Sequence, residues 1–427
     1  MKILIKNAEI INPKGDKKGS NDILIENDIV LKIAQHVDAN ADTVIDAAGL
    51  HAFPGFVDMH CHLREPGYEH KEDILSGTKA AVKGGFTSVA CMPNTMPVAD
   101  NAAVVSYIQQ KATAAGYAKV FPIGAVTKGQ LGEELAEIGE MFEAGIVAAS
   151  DDGKPVMNAL IMRNALLYAK HFGFPIISHC EDLNLRGEGM VNEGYYASIT
   201  GLKGIPRAAE ESMIARDILL AESYKARLHI AHVSTRGGAE LIRQAKKRGV
   251  YVTAETSPHY FAADDSLLLT FDANTKVNPP LRTKDDCQAI IEALADGTID
   301  AIATDHAPHH KDEKNVEYAI AASGFTGFET AISLAVTHLL PAGFTLEKIS
   351  KLMSAAPAAL LGIPGGIIEE GSYADITLAD LSAKYVLKEE DIVSKGKNTP
   401  FLGQVLTGKV IYTLVNGKIL LHNGVLI

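Results

Sequence analysis

The run FPGFVDMHCHLREPG, from Phe53 to Gly67, reads as the end of a buried strand and the turn after it, and carries two histidines and an arginine. Side chains alternate faces along a strand, so His60 and His62 point one way and Cys61 the other. Two imidazoles on one face at a strand end can grip one metal ion. Arg64, just beyond them, presents a planar fork suited to a carboxylate. One short segment thus offers a Lewis acid and a handle for an acidic substrate.

More histidines and acids stand at the ends of other apolar runs: Asp151 and Asp152 in IVAASDD, His179 in PIISHCE, His232 in LHIAHVS, Asp305 in AIATDHAPH. Neutral imidazole nitrogen mixed with anionic carboxylate oxygen suits Zn²⁺ or a similar divalent ion. His60, His62, Asp152, His179, His232 and Asp305 exceed the four ligands of a tetrahedral site. The natural division is two metals, roughly 3.5–4 Å apart, sharing a bridging carboxylate and a bridging hydroxide. Asp151 and Asp152 are adjacent, so only one can face inward; Asp152 is favoured, although periodicity alone leaves both open. Asn94 and His309 can complete a carboxylate pocket around Arg64. Asn278, in VNPPLR, can bond a ring amide.

Taken singly, each residue has a plainer reading. A lone H-x-H is more often packing or surface than metal. His179 and His232 read as satisfied core histidines, as His229 does, and Asp305 as a helix cap. Arg64 reads as a surface partner of Glu65 or Glu69, and Asn278 as a turn residue before Pro279. Coincidence favours the chemical reading, because every metal candidate falls at the same end of a separate strand-like run.

Those runs are AFPGFVDMH, SVACMPN, VFPIGAVT, IVAASDD, PIISHCE, LHIAHVS, VYVTAETSPH and AIATDHAPH. Helical patterns lie between most of them, among them EDILSGTKAAVKGG, EELAEIGEMFEAG, MNALIMRNALLYAKHFG and AAEESMIARDILLAESYK. Eight apolar strands alternating with helices specify a closed parallel (β/α)8 TIM-like barrel, an α/β fold whose active site sits at the C-terminal strand ends. Asp58, Asn94 and His259 also fall at that end. The runner-up, an open doubly wound sheet, predicts a glycine-rich phosphate turn after the first strand, and none is present. The two chain ends differ from the middle. LIKNAEII, DILIEND and IVLKIA near the start, and ADITLADL and KVIYTLVNGKILLHNG near the end, are short alternating runs, with Asn416-Gly417 a hairpin signal. Both termini are therefore expected to build one small β-sandwich, giving residues 1–52 and 361–427 to it and 53–360 to the barrel.

Composition sets outer limits. The chain has 427 residues, 47% of them hydrophobic, and a formal net charge of −12. No basic cluster is present, which argues against nucleic acid as a partner. The first residues lack an apolar stretch of signal-peptide length and no run nears transmembrane length, so neither export nor a membrane is expected. Four scattered cysteines without a CxxC pair fit a reducing cytoplasm.

At these residues the chain resembles the dihydroorotases of the amidohydrolase superfamily, over essentially its whole length. DMHCHLREPG (58–67) is similar to the family's first motif, with Cys61 where an aliphatic residue is usual, and ATDHAPHHKDEK (303–314) to the second. MPNT (92–95), NPPLR (278–282) and GIIEEGSYADITLAD (366–380) also resemble family patterns. The resemblance implies a barrel with a composite β-sandwich and the reversible conversion of N-carbamoyl-L-aspartate to dihydroorotate in pyrimidine biosynthesis. It implies one or two Zn²⁺ per chain, two favoured: His60, His62 and Asp305 around one, His179 and His232 around the other. Many members bridge their metals with a carboxylated lysine on strand four. That strand here ends ASDDG, matching the branch in which an aspartate bridges, and Asp152 fits the spacing. The resemblance also assigns His62, Arg64, Asn94, Asn278 and His309 to the substrate and the backbone near Gly324 to its ring. It makes Asp305 the general base and acid toward an activated hydroxide. A homodimer is implied, and aspartate transcarbamoylase is a possible partner. Two alternatives stand beside this reading: an allantoinase or hydantoinase, which Arg64 disfavours, and an inactive scaffold for the transcarbamoylase, which the full ligand set disfavours.

Overall fold

The computed structural model describes residues 1–15 and 19–427. Among the described residues, eight parallel strands supply the barrel: Phe56–Cys61, Phe86–Cys91, Lys119–Pro122, Ala149–Ser150, Ile176–Ser178, Leu228–Ile230, Val252–Thr256 and Ala301–Ile302. The first three pair in sequence, as do the last five. Parallel bridges between Gly124 and Ala149 and between Cys61 and His306 join the two groups into a closed ring. All eight expected strands are present.

Inside the ring the filling is small and aliphatic. Met59, Ala90, Ile123, Ala148, Ile177, Ala231 and Ala301 form one buried cluster. A larger cluster lies between the strands and the surrounding helices, so the strands are covered on both faces, as a parallel barrel requires. The helices Ile74–Lys83, Ala159–Phe172 and Arg207–Tyr224 lie where apolar spacing puts them. The run EELAEIGEMFEAG departs from expectation, because helix begins only at Ile138. Leu135 instead bridges to Thr127, and the Ala136 N–H donates to the Val126 carbonyl. The strand three extension captures the backbone that the first helical turn would use.

The two chain ends share one sheet, nine-stranded among the described residues. Its junction is the short strand His51–Pro54, which runs parallel to Glu9 and Ile10 on one side and antiparallel to Ile376–Ala379 on the other. Gly55 separates this strand from the first barrel strand. A Cβ there would lie 2.2 Å from the Thr87 side chain, so the close approach admits only glycine. The run AFPGFVDMH is thus two strands in two sheets. Asn416 and Gly417, at φ 47° and 70°, make the expected tight turn between Val405–Val415 and Lys418–His422. Among the described residues no helix is long and apolar enough to cross a membrane.

Candidate metal centre and substrate pocket

Strand one delivers His60 and His62, both buried, to the C-terminal rim of the barrel. Its tip is tied to strand eight: the His62 N–H donates to the His306 carbonyl, and Asp58 accepts from the Thr304 N–H (2.9 Å) and hydroxyl (2.5 Å). Asp58, expected at the rim, thus serves to hold the chain beside Asp305. Asp151 does the same between strands three and four, accepting from Val126 N, Thr127 N and the Thr127 hydroxyl. With Asp151 occupied in this way, Asp152 is the one that faces the histidines. Cys61 turns away from them and bonds the Ala90 carbonyl.

Asp152 lies at the centre of the cluster. Its Oδ1 is 3.4 Å from His60 Nε2, 3.6 Å from His179 Nδ1 and 3.5 Å from His232 Nε2, and its Oδ2 is 3.5 Å from His62 Nε2. Asp305 Oδ1 stands 3.5 Å from His60 Nε2 and 3.2 Å from His62 Nε2. His179 Nδ1 and His232 Nε2 converge to 2.7 Å. The six expected ligands therefore gather around Asp152 and Asp305, with His179 reaching Asp152 and His232 but not Asp305. Two overlapping groups have the spacing to hold an ion: His60, Asp152 and His232, and His60, His62 and Asp305.

The donors fit a cation. His60 Nε2 and Asp152 Oδ1 are buried without a hydrogen-bond partner, a costly arrangement unless another group satisfies them. Burial opposes charge on His60, yet Asp152, Glu255 and Asp305 together hold its pKa well above the ordinary histidine value, so the pocket draws positive charge. Burial likewise opposes ionisation of Asp305, but the charge of His60 and the hydrogen bond from His62 outweigh it and keep its pKa at about 2. Asp152 is held well below the carboxylate range by His60, His179 and His232 against the same burial. Ring orientation agrees. His60 Nδ1 is 2.6 Å from Glu255 Oε1 and His62 Nδ1 2.9 Å from Asn94 Oδ1. With Nδ1 donating outward, Nε2 is left to face the acids.

Backbone strain marks the same rim. His232 (φ 34°), Asp305 (φ 48°) and Arg64 (φ 61°) adopt the left-handed region without being glycine. Such residues cost about 1–3 kcal/mol each and persist where the surroundings fix them, commonly at functional sites.

A cavity of about 260 Å³ opens beside the cluster, lined by His62, Arg64, Asn94, Asn278, His309 and Gly324 among others. Every substrate residue expected from the sequence lies on it. Arg64 donates from Nε to the Pro308 carbonyl (3.3 Å) and lies 3.4 Å from His309 Nε2. Neither carboxylate beside it in sequence is its partner: Glu65 pairs with Lys111, and Glu69 accepts from the Gly67 N–H. Burial and the Arg64 charge push the His309 pKa well below its usual value, keeping it neutral. The Asn278 amide donates to Glu181 (3.2 Å) while its Oδ1 is buried without a partner.

Sequence reading missed several contributors. Glu255 orients His60 from strand seven, where an acid inside an apolar run was the available signal. Arg186 lines the cavity. Asn398, from the C-terminal segment, accepts from the His309 N–H and donates to the Ala307 and Gly324 carbonyls. His259 follows strand seven and packs against Tyr260 and Phe325. His229 is buried, with Nδ1 2.8 Å from the Thr253 hydroxyl, but its Nε2 has no hydrogen-bond partner and faces Glu255 at 3.4 Å, so it is a core residue that is only half satisfied.

A closed barrel carrying a sheet from both termini is a fold shared with cyclic amidohydrolases. Solved structures of that class superpose over the whole chain. An L-hydantoinase (dihydropyrimidinase) from Arthrobacter aurescens is 25% identical, with TM-score 0.89, covering 100% of this chain and 97% of that one. A dihydropyrimidinase from Brevibacillus agri shares the fold at 24% identity and TM-score 0.86, covering 100% and 96%. Sequence relatives narrow the class. Residues 49–238 match the family model described as dihydro-orotase-like. Proteins named dihydroorotase from Acetivibrio thermocellus and Ruminiclostridium cellulolyticum are 54% and 55% identical, each alignment covering 100% of both chains. The chain belongs to the dihydroorotase family.

Proposed function

We propose that this enzyme interconverts N-carbamoyl-L-aspartate and (S)-dihydroorotate, using Zn²⁺ held by His60, His62, Asp152, His179, His232 and Asp305, with two ions favoured. The observation that carries the reading is Arg64, a guanidinium turned away from its neighbouring carboxylates and lining the same cavity as the His/Asp cluster. A site for neutral ring amides has no use for it, whereas the carboxylate of dihydroorotate matches its fork.

When bound, zinc supplies Lewis acidity toward the ring carbonyl and lowers the pKa of water. The chain's own residues do the rest. Arg64, Asn94 and neutral His309 hold the substrate carboxylate. The Asn278 Oδ1 accepts from a ring N–H. Asp305, ionised at neutral pH, accepts the proton of the attacking water and returns it to the departing ring nitrogen; in synthesis the transfers reverse. Holding both ends of one chain in a single cavity favours ring closure.

The test is turnover of dihydroorotate beside hydantoin, allantoin and dihydrouracil, before and after chelation, with zinc added back and metal content measured. Dihydroorotate is expected to be the preferred substrate, with activity lost on chelation and restored by zinc. Preference for a neutral ring overturns the reading in favour of a hydantoinase. Four cysteines without a disulfide support a cytoplasmic setting. A homodimer, and association with aspartate transcarbamoylase, rest on family resemblance and are tested by sedimentation.

A further inference from the structure

The motif ATDHAPHHKDEK ends on Lys314, a residue the proposed chemistry leaves without a task. Lys314 is buried, 7% exposed, as is Lys276 at 7%. The Lys314 ammonium donates to three backbone carbonyls: Ala273 (2.9 Å), Lys276 (3.2 Å) and Ala322 (2.7 Å). Lys276 donates to the carbonyls of Tyr318 (2.9 Å) and Ala319 (2.8 Å). Among the described residues neither forms an ion pair. The two ties are reciprocal. Lys314 reaches from the segment 311–324 to the loop 272–278, and Lys276 reaches from that loop back to the segment. A further bond runs from the Gly324 N–H to the Lys276 carbonyl, 3.0 Å.

Burying two ammonium groups among carbonyls is a costly way to join two loops, since apolar side chains would cover the same surface without desolvating charge. What the ammonium adds is direction: each bond fixes one carbonyl in place, where apolar contact would let the loops slide. The placement shows what is being fixed. The loop 272–278 ends at Asn278, the segment ends at Ser323 and Gly324, and all three line the substrate cavity.

We propose that Lys276 and Lys314 are positioning residues that set the spacing between Asn278 and the Ser323–Gly324 corner, and thereby the fit of the substrate ring. The inference rests on the functional reading above. Neither lysine touches the metal cluster, so their loss acts on ring binding rather than on proton transfer.

The test compares Lys314→Met and Lys276→Met with the wild-type enzyme by steady-state kinetics on dihydroorotate, zinc content, and hydrogen exchange of peptides spanning 272–278 and 311–324. Expected are a rise in KM of about tenfold with kcat within about twofold, the pattern of lost binding that is uniform between ground and transition states. Zinc content is unchanged, and faster exchange is confined to the two peptides. Unchanged KM overturns the inference, as does a parallel fall of kcat and zinc content with exchange raised throughout the chain. Should the variants fail to fold, wild-type enzyme titrated with dihydroorotate decides: the two peptides gain protection together, and protection of one alone overturns the tie. Wild-type enzyme inert toward dihydroorotate sinks the functional reading instead, and the exchange of the unliganded variants still reports on the lysines.

Discussion

His60 Nδ1 and Glu255 Oε1 lie 2.6 Å apart, both fully buried, and the other Glu255 oxygen faces His229 at 3.4 Å. Burial opposes charge on Glu255, yet His60 and His229 hold its pKa at about 2. A carboxylate behind a ligating imidazole fixes the ring tautomer and strengthens the nitrogen facing the metal. Glu255→Gln is expected to weaken zinc binding by roughly tenfold or more, measured by competition with a chromogenic chelator. Unaltered affinity would remove Glu255 from the metal's support.

Asp305 is the sole member of the cluster assigned a proton transfer. Asp305→Asn keeps its size and its place against His62, but not its basicity. Turnover of dihydroorotate is expected to fall by about 10²–10⁴ while KM changes little. Near-normal turnover, with zinc content confirmed, would transfer the role to another group.

The proposed role of Arg64 is to separate substrates by charge. Arg64→Ala is expected to raise KM for dihydroorotate and carbamoyl aspartate far more than for dihydrouracil, and Arg64→Lys to recover part of the loss without the bidentate fork. Equal weakening of all three substrates would mean that the residue shapes the cavity rather than reading a carboxylate.

The thiols give a prediction about pH. Burial pushes Cys91 and Cys287 up to about 12, and Cys61 and Cys180 lie well above the ordinary thiol value for the same reason. A raised thiol pKa keeps the neutral, unreactive form through mild alkali. Native enzyme at pH 8 is expected to keep its activity and all four thiols in iodoacetamide, with alkylation on unfolding, followed by mass spectrometry. Rapid modification of Cys91 in the native enzyme would contradict its burial.

The sequence carried the barrel well, because eight apolar runs separated by helical spacing leave few architectures open. It also carried the placing of the candidate ligands, since each ends a strand and strand ends converge in a barrel. What it could not carry depends on contacts between distant residues. Asp58 and Asp151 sit at the rim as expected but turn to the backbone and hydroxyls of Thr304 and Thr127 on the neighbouring strands. Glu255 meets His60 across 195 residues of chain. Asn398 lies in a stretch without apolar rhythm and still reaches His309. The left-handed backbone of His232 and Asp305 has no local signal, because neither residue type announces it. The helical reading failed only over Glu133–Glu137, where the bridge of Leu135 to Thr127 and the bond from the Ala136 N–H to Val126 override a strong local helix propensity.

The strand His51–Pro54 imposes an order of assembly. A ribosome releases it before the barrel, together with its partner at Glu9 and Ile10, but its other edge waits for Ile376–Ala379, made after the barrel. Until then the lead-in to His60 and His62 keeps an open edge, a feature that invites mispairing. Anchoring of the first histidine strand is thereby linked to the segment that follows the barrel, and a chain stopped short of Ile376 would leave that anchor unpaired on one edge.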